Sequence, residues 1–240
     1  AFIGFSDVVH FTKNIIDSVG MPVMADADTG YGNSINAMHV TREFIKAGAA
    51  GMNIEDQVFP KRCGHLEGKQ IIPIEEMVMK IKACKAVKDE IDPDFVINAR
   101  TDAIAVHGIE EAIKRGNAYA EAGADLIFVE APRSIDQIEQ AVKEIKAPVS
   151  INLMDAVVGG KTPLVPIEKL KELGVGRISI PVGPLFAAVK GMVNYLNEIQ
   201  GGKLAEGRTD LVAAFSEFKD LVGFEQFRDL EKQYLPKFIE

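Results

Sequence analysis

The amino-acid sequence predicts an α/β protein built on a (β/α)8, TIM-type barrel. Three observations carry that expectation. Short apolar runs alternate with amphipathic helix patterns along almost the whole chain, as in a repeated strand–helix unit. The apolar runs are continuous rather than alternating, as in parallel strands buried on both faces. Each run becomes polar on one face only, at its C-terminal end, where a barrel opens its mouth. An open doubly wound sheet would instead carry a glycine-rich loop after an early strand, and no Gly-x-Gly-x-x-Gly occurs.

The elements follow in order. A helix pattern spans 7–19, and strands are predicted over 22–26, 51–55, 95–100, 126–130, 148–152 and 177–181. Between them, Ile74, Met77, Val78, Ile81, Cys84, Val87 and Ile91 recur at helical spacing, as do Ile109, Ala112, Ile113, Gly116 and Ala120. Ala47-Gly48-Ala49 and Ala122-Gly123-Ala124 each set a helix-ending glycine just before a strand. Side-chain alternation puts Asn53 with Glu55, Asn98 with Arg100, Phe128 with Glu130, and Ser150 with Asn152 on one face. Six strands fall short of eight, and the first two βα units are expected to be absent from this chain. Helix patterns over 184–199, 209–221 and 224–234 close the sequence. We expect one domain over 1–240, with a barrel portion 1–199 and a helical extension 200–240. The extension either folds back on its own barrel or is exchanged with a neighbouring subunit.

Composition narrows the function. The 240 residues suffice for one large core, and a net charge of -8 without basic patches argues against nucleic-acid or anionic-membrane partners. No apolar run approaches the roughly 18 residues of a membrane span. The start lacks the features of a signal peptide, and Cys63 and Cys84 read as reduced thiols of a cytoplasmic protein. Gly160-Lys161-Thr162 imitates the end of a phosphate loop, but Asp155 stands where that motif needs glycine, and there is no Gly-x-Ser-x-Gly. His10 and His39 fall in helix patterns and His107 in a loop, and all three read as structural.

Asp26, Asp28, Glu55 and Glu130 end strands and would bring several carboxylates into one mouth. Like charges gathered in a buried site repel, and a hard divalent cation relieves them. Oxygen donors without a His–Cys cluster point to Mg²⁺, with Mn²⁺ as the alternative. Asp28, Asp56 and Asp102 have a competing reading as caps of helices or turns. Arg100 in the mouth needs an anion, either Glu130 or Glu55 or a substrate carboxylate that its planar fork would grip. Cys63 lies between Lys61, Arg62 and His65, beside Gly64, so cationic neighbours and a loop position favour a reactive thiol. Cys84 sits on an apolar helix stripe and reads as core.

These residues carry a resemblance. Asp26-Ala27-Asp28-Thr29-Gly30-Tyr31-Gly32, Glu55-Asp56-Gln57, Lys61-Arg62-Cys63-Gly64-His65, Asn98-Ala99-Arg100-Thr101-Asp102-Ala103, Val129-Glu130-Ala131, and Asn152 before Gly159-Gly160-Lys161-Thr162-Pro163 resemble the motifs of the isocitrate lyase/phosphoenolpyruvate mutase superfamily, from about residue 5 onward. The resemblance implies a Mg²⁺-dependent barrel acting on a small α-keto or α-hydroxy acid. It implies a homo-oligomer, a dimer of dimers that exchanges a C-terminal helix. By position, Asp26 resembles the direct metal ligand, while Asp28 and Glu55 resemble groups that hold metal-bound waters. Arg100, Glu130 and Asn152 look like substrate-binding positions, with Lys61, Arg62, Gly64 and His65 contributing from the loop. Cys63 looks like the general acid, on a loop that closes over the substrate.

The Lys-Arg-Cys-Gly-His loop is similar to that of the carbon–carbon lyases, which implies a retro-Claisen cleavage releasing an α-keto acid such as pyruvate. Two departures stand out. The superfamily's early Ser/Gly loop and one further metal-shell aspartate have no counterpart, so we expect a longer natural chain. After Asn152 comes Leu-Met-Asp-Ala-Val-Val-Gly-Gly rather than Thr-Glu-Phe-Gly, which implies a smaller substrate of the 2,3-dimethylmalate type, with 2-methylisocitrate as the rival. The alternatives are a carboxyphosphonoenolpyruvate-type mutase, an oxaloacetate hydrolase or decarboxylase, and a non-catalytic barrel serving as an oligomer component.

Overall fold

Six parallel strands pair strictly in sequence order, β1 to β6, in one sheet: β1 (Met24–Asp26), β2 (Gly51–Glu55), β3 (Val96–Thr101), β4 (Leu126–Val129), β5 (Val149–Asn152) and β6 (Arg177–Ser179). The computed structural model describes residues 3–63, 68–154 and 160–236. The chain divides into two compact units, Ala1–Pro181 and Val182–Glu240.

The first unit holds the sheet and its covering helices: α1 (Phe5–Ser18), α2 (Ser34–Ala47), α3 (Ile74–Ile91), the one-turn α4 (Ile104–His107), α5 (Ile109–Ala122), α6 (Ile135–Glu144) and α7 (Ile167–Glu172). Local chemistry sets their ends. Asn33 caps α2, its side-chain oxygen accepting from the amides of Ile35 at 2.9 Å and Asn36 at 3.3 Å. Gly48 and Gly123 end α2 and α5 at φ of 89° and 107°, a left-handed turn in which a Cβ is strained. Both glycines are the ones expected from the two Ala-Gly-Ala segments. His107, expected in a loop, ends the α4 turn.

One strand face packs on the helices. Met52, Ile54, Ile97, Ile127 and Ile151 are fully buried, as are Phe44 of α2, Met77 and Ile81 of α3, and Ile138 of α6. Each such side chain contributes roughly 1.5–3 kcal/mol on burial. Cys84 belongs to this core, and burial pushes its thiol up to about 11. The opposite strand face is polar, and the register aligns its residues in layers. Glu55 pairs with Arg100, Arg100 with Phe128, Phe128 with Ser150, and Ser150 with Arg177. The phase read from the sequence is therefore the phase of the sheet.

The second unit contains α8 (Gly183–Gln200), α9 (Phe215–Leu221) and α10 (Phe224–Tyr234). The helix expected over 209–221 begins only at Phe215. The Ala214 amide donates to Glu217 Oε2 at 2.7 Å, which starts the helix there and leaves 209–214 in turns. Lys219 stacks over Phe224 at 5.1 Å and pairs with Glu225 at 3.6 Å, joining α9 to α10. Among the described residues, no helix is long and apolar enough to cross a membrane.

Candidate active site

The C-terminal ends of β1, β2 and β3 bring the acidic residues together. After β1 the chain turns back on itself: the Asp28 amide donates to Asp26 Oδ1 and the Thr29 amide to Asp28 Oδ1, each at 2.9 Å. Asp28 sits at φ 50°, a left-handed conformation that an aspartate tolerates in such a turn. The Glu55 amide then donates to the Asp28 carbonyl at 2.9 Å, locking the two strand ends in register.

Three carboxylates surround one ammonium. Lys61 Nζ lies 3.8 Å from Asp26 Oδ2, 3.6 Å from Asp28 Oδ2 and 3.5 Å from Glu55 Oε2. These are charge contacts rather than tight hydrogen bonds, so the amine marks the centre of an anionic cup. Glu55 is buried, and its Oε1 has no hydrogen-bond partner among the described residues. Burial pushes Glu55 up to about 8, against the pull of Arg100 and Lys61. The same burial, with Asp28 and Asp26 nearby, raises Tyr31 to about 12.

Among the described residues, no three carboxylate, thiol or imidazole groups form a cluster that would ligate one ion directly. The donor set nonetheless fits a hard cation that keeps its waters. Such an ion takes one or two carboxylates directly and holds the others through water. Asp26 is the most open of the three, with 67 % of its side chain exposed, and Glu55 offers a buried acceptor that is otherwise unfilled. A lysine ammonium already stands where the three carboxyl groups converge.

Arg100 forms the second half of the mouth. Its Nε donates to Asp102 Oδ2 at 2.9 Å and its Nη2 to Asp102 Oδ1 at 3.1 Å. Glu55 Oε2 lies 3.5 Å from Nε and Glu130 Oε2 3.6 Å from Nη1, while the guanidinium carbon stands 5.2 Å over the Phe128 ring. Burial opposes the charge on Arg100, but Glu130, Asp102 and Glu55 outweigh it and raise its pKa. The three acids diverge in consequence. Burial raises Glu130 despite Arg100, whereas Arg100 and Lys69 hold Asp102 below the ordinary carboxylate range despite its burial.

Asn152 ends β5 and is buried, its Oδ1 accepting from Ser179 Oγ at 2.7 Å. Cys63 is exposed. Arg62 is held by its backbone, its amide donating to Gln57 Oε1 and its carbonyl accepting from Gln57 Nε2, both at 2.9 Å. Gly64 and His65 lie outside the described residues, as does Gly159. A cavity of about 520 Å³ opens beside the mouth between Thr29, Tyr31, Gln57, Phe59, Ile72 and Lys80, and contains none of the carboxylates above.

Asp56 and Asp102, for which a capping role was the competing reading, instead anchor the site from beneath. Asp56 is fully buried and accepts from Tyr119 Oη at 2.7 Å, Thr101 Oγ1 at 2.8 Å, the Asp102 amide at 2.9 Å and Arg115 Nη1 at 3.1 Å. Sequence reasoning missed this network and Lys69, whose Nζ donates to Asp102 Oδ1 at 2.8 Å. One signal was available: Arg115 falls three residues after Ala112, at a core position of the α5 stripe, where a charge requires a buried partner.

Six parallel strands in sequence order, helical crossovers and a polar mouth at the strand ends are the architecture of part of a TIM-type α/β barrel. Comparison with known proteins then specifies the family. The model described as "Phosphoenolpyruvate phosphomutase" matches residues 2–200. Among curated relatives, 2,3-dimethylmalate lyase of Eubacterium barkeri is 42% identical over 95% of this chain and 78% of its own length. A 2-methylisocitrate lyase of Aeropyrum pernix is 39% identical over 95% of this chain and 73% of its own. Among solved structures, an oxaloacetate acetylhydrolase in complex with 3,3-difluorooxalacetate superposes with a TM-score of 0.89 at 29% identity, covering 99% of this chain and 80% of that one. A phosphonopyruvate hydrolase complex with oxalate and Mg²⁺ gives 0.80 at 30% identity, covering 98% and 80%. The chain belongs to the phosphoenolpyruvate mutase/isocitrate lyase superfamily.

Proposed function

We propose that the protein is a Mg²⁺-dependent carbon–carbon lyase that cleaves a 2-hydroxy di- or tricarboxylic acid, with 2,3-dimethylmalate as the substrate and 2-methylisocitrate as its rival. The observation that carries the proposal is the cup of three carboxylates around one cationic point, set beside a buried arginine. Asp26 would hold the metal directly, with Asp28 and Glu55 holding it through water. Bound there, Mg²⁺ would act as a Lewis acid on the substrate's oxygens and relieve the repulsion among the carboxylates.

The chain's own residues supply the rest. Arg100 grips a substrate carboxylate through its fork and stabilises the negative charge that develops on cleavage. Glu130 and Asn152 orient the substrate from β4 and β5, and Lys61 and Arg62 add positive charge from the loop, with Gly64 and His65 assigned there by motif. A base takes the substrate's hydroxyl proton, and the carbon–carbon bond breaks to leave an α-keto acid. The electron pair of that bond goes to the departing fragment as an enolate-like dianion. Cys63 Sγ delivers a proton to its carbon. Arg100 is mostly buried, its guanidinium over the Phe128 ring, and that burial strengthens these charge interactions.

The residues after Asn152, lacking Thr-Glu-Phe-Gly, favour the smaller substrate, and the 42% identity to a 2,3-dimethylmalate lyase supports it. The likeness to an oxaloacetate acetylhydrolase makes oxaloacetate the second substrate to examine. The test is keto-acid release from 2,3-dimethylmalate, 2-methylisocitrate and isocitrate, together with oxaloacetate consumption, each with Mg²⁺ and with a chelator. Metal-dependent turnover of 2,3-dimethylmalate is expected, and turnover of none of the four sinks the reading. We further propose a homo-oligomer with C-terminal helices exchanged between subunits. Light scattering should give a mass of several chains, and a monomer would contradict it.

A further inference from the structure

We infer that Lys69 is a positioning residue: through Asp102 it fixes the guanidinium of Arg100 and ties the returning arm of the Cys63 loop to the barrel mouth. The inference rests on the reading of Arg100 as the group that grips a substrate carboxylate.

Two sets of contacts converge on it. The first is the stem of the loop. Residues 57–63 lead out and 68–72 lead back, bridged antiparallel at Gln57 and Ile71. The Val58 amide donates to the Gln70 carbonyl at 2.8 Å, and the Ile72 amide to the Asp56 carbonyl at 2.9 Å. The Arg62 side chain reaches across to the returning arm, where a Cβ on Gly68 would stand 2.5 Å from its Nη1. The second set lies below. The Lys69 side chain, 1 % exposed, reaches from this stem to Asp102, whose side chain is fully buried. Asp102 Oδ1 accepts from both Lys69 Nζ at 2.8 Å and Arg100 Nη2 at 3.1 Å, while Oδ2 accepts from Arg100 Nε at 2.9 Å. One carboxylate thus joins the loop stem to the arginine.

Charge explains why a lysine is needed. Arg100 stands among Asp102, Glu55 and Glu130. Lys61 also answers Glu55, but with no second cation on Asp102 the guanidinium alone would face that fully buried acid and would be drawn toward it rather than toward a ligand. Lys69 supplies the second charge, so Asp102 becomes a neutralised shelf on which the Nε and Nη2 edge of Arg100 rests. Buried ion pairs are generally no better for stability than apolar side chains of the same volume. A lysine buried here is therefore better explained by the geometry it imposes than by stability.

The test compares Lys69→Met with Lys69→Arg. Hydrogen exchange of peptides covering 57–63 and 68–72 should quicken about tenfold in Lys69→Met while peptides from α3 and α5 stay protected. KM for the hydroxy acid should rise about ten- to a hundredfold, with kcat falling less. Oxalate, titrated calorimetrically with Mg²⁺ present, should weaken by the same factor, which examines Arg100 without turnover. Lys69→Arg should restore all three readouts to within about threefold. Should Lys69→Met fail to fold, the Lys69→Met/Asp102→Asn double variant removes both buried charges together and should show the same defects. A folded Lys69→Met or double variant with wild-type exchange, KM and oxalate affinity overturns the inference. So does a lowered melting temperature with those readouts unmoved. If the wild type cleaves none of the acids, the lyase reading falls, while exchange and oxalate binding still judge Lys69.

Discussion

Glu55 and Asp56 are consecutive carboxylates, both buried, and they meet opposite fates. Asp56 turns toward the helices and accepts four hydrogen bonds, from Tyr119, Thr101, Arg115 and the Asp102 amide. Among the described residues, Glu55 turns into the mouth, meets only charge contacts at 3.5 Å, and keeps one oxygen without a partner. Burial raises the pKa of both, but only Asp56 has its anion answered on every side. A satisfied buried carboxylate holds a fold together. An unsatisfied one leaves an open acceptor facing the mouth.

The contrast is broken most forcefully at Asp56. Asp56→Ala leaves Arg115 and Tyr119 facing each other without their acid, and should lower the unfolding free energy by about 3–5 kcal/mol. Denaturant titration measures it; a loss under 1 kcal/mol would show that Asp56 is not the anchor described. Cys63→Ser tests the other extreme, a group outside the core. Turnover should fall by about 10²–10⁴ while KM and the unfolding midpoint hold, as for loss of a general acid. Unchanged turnover would remove Cys63 from the mechanism.

Glu55 separates stability from function. Its unfolded value is ordinary and its folded value is about 8. The stability tied to its neutral form is therefore present at acid pH, and is lost as pH rises through that value. Metal-free wild type should melt at progressively lower temperature from pH 5 to about pH 8. Glu55→Gln should flatten that slope and gain about 1–2 kcal/mol at the alkaline end while losing activity. Equal slopes in both proteins would refute the assignment. The smallest effect belongs to the exposed Lys143–Glu139 pair on α6, 2.6 Å apart one turn along the helix. Lys143→Ala should change stability by less than about 0.5 kcal/mol. Only a loss as large as that of Asp56→Ala would reverse the contrast.

The inward layer was legible because strand alternation is rigid: once Asn98 and Arg100 share a face, β2 and β5 follow by register. Asp26, Glu55 and Arg100 could be read together because each ends an apolar run. Lys69 was not legible, since it sits in an irregular loop with no period to phase it, and its partner lies 33 positions away. Asp102 looked like a turn residue because its neighbours in sequence are turn-like, while its decisive partners come from the loop and from β3. The start of α9 at Phe215 was missed for a related reason. The apolar pattern runs back to 209, but the cap is set by Glu217 reaching to the Ala214 amide.

The most direct measurement is a calorimetric titration of Mg²⁺ into chelator-treated protein at pH 8. Wild type and Asp56→Asn should each take up one ion per chain. Asp26→Asn and Glu55→Gln should bind at least tenfold more weakly. Uptake by Asp26→Asn and Glu55→Gln equal to that of wild type, or none by wild type, would contradict the account of the mouth as a cation site.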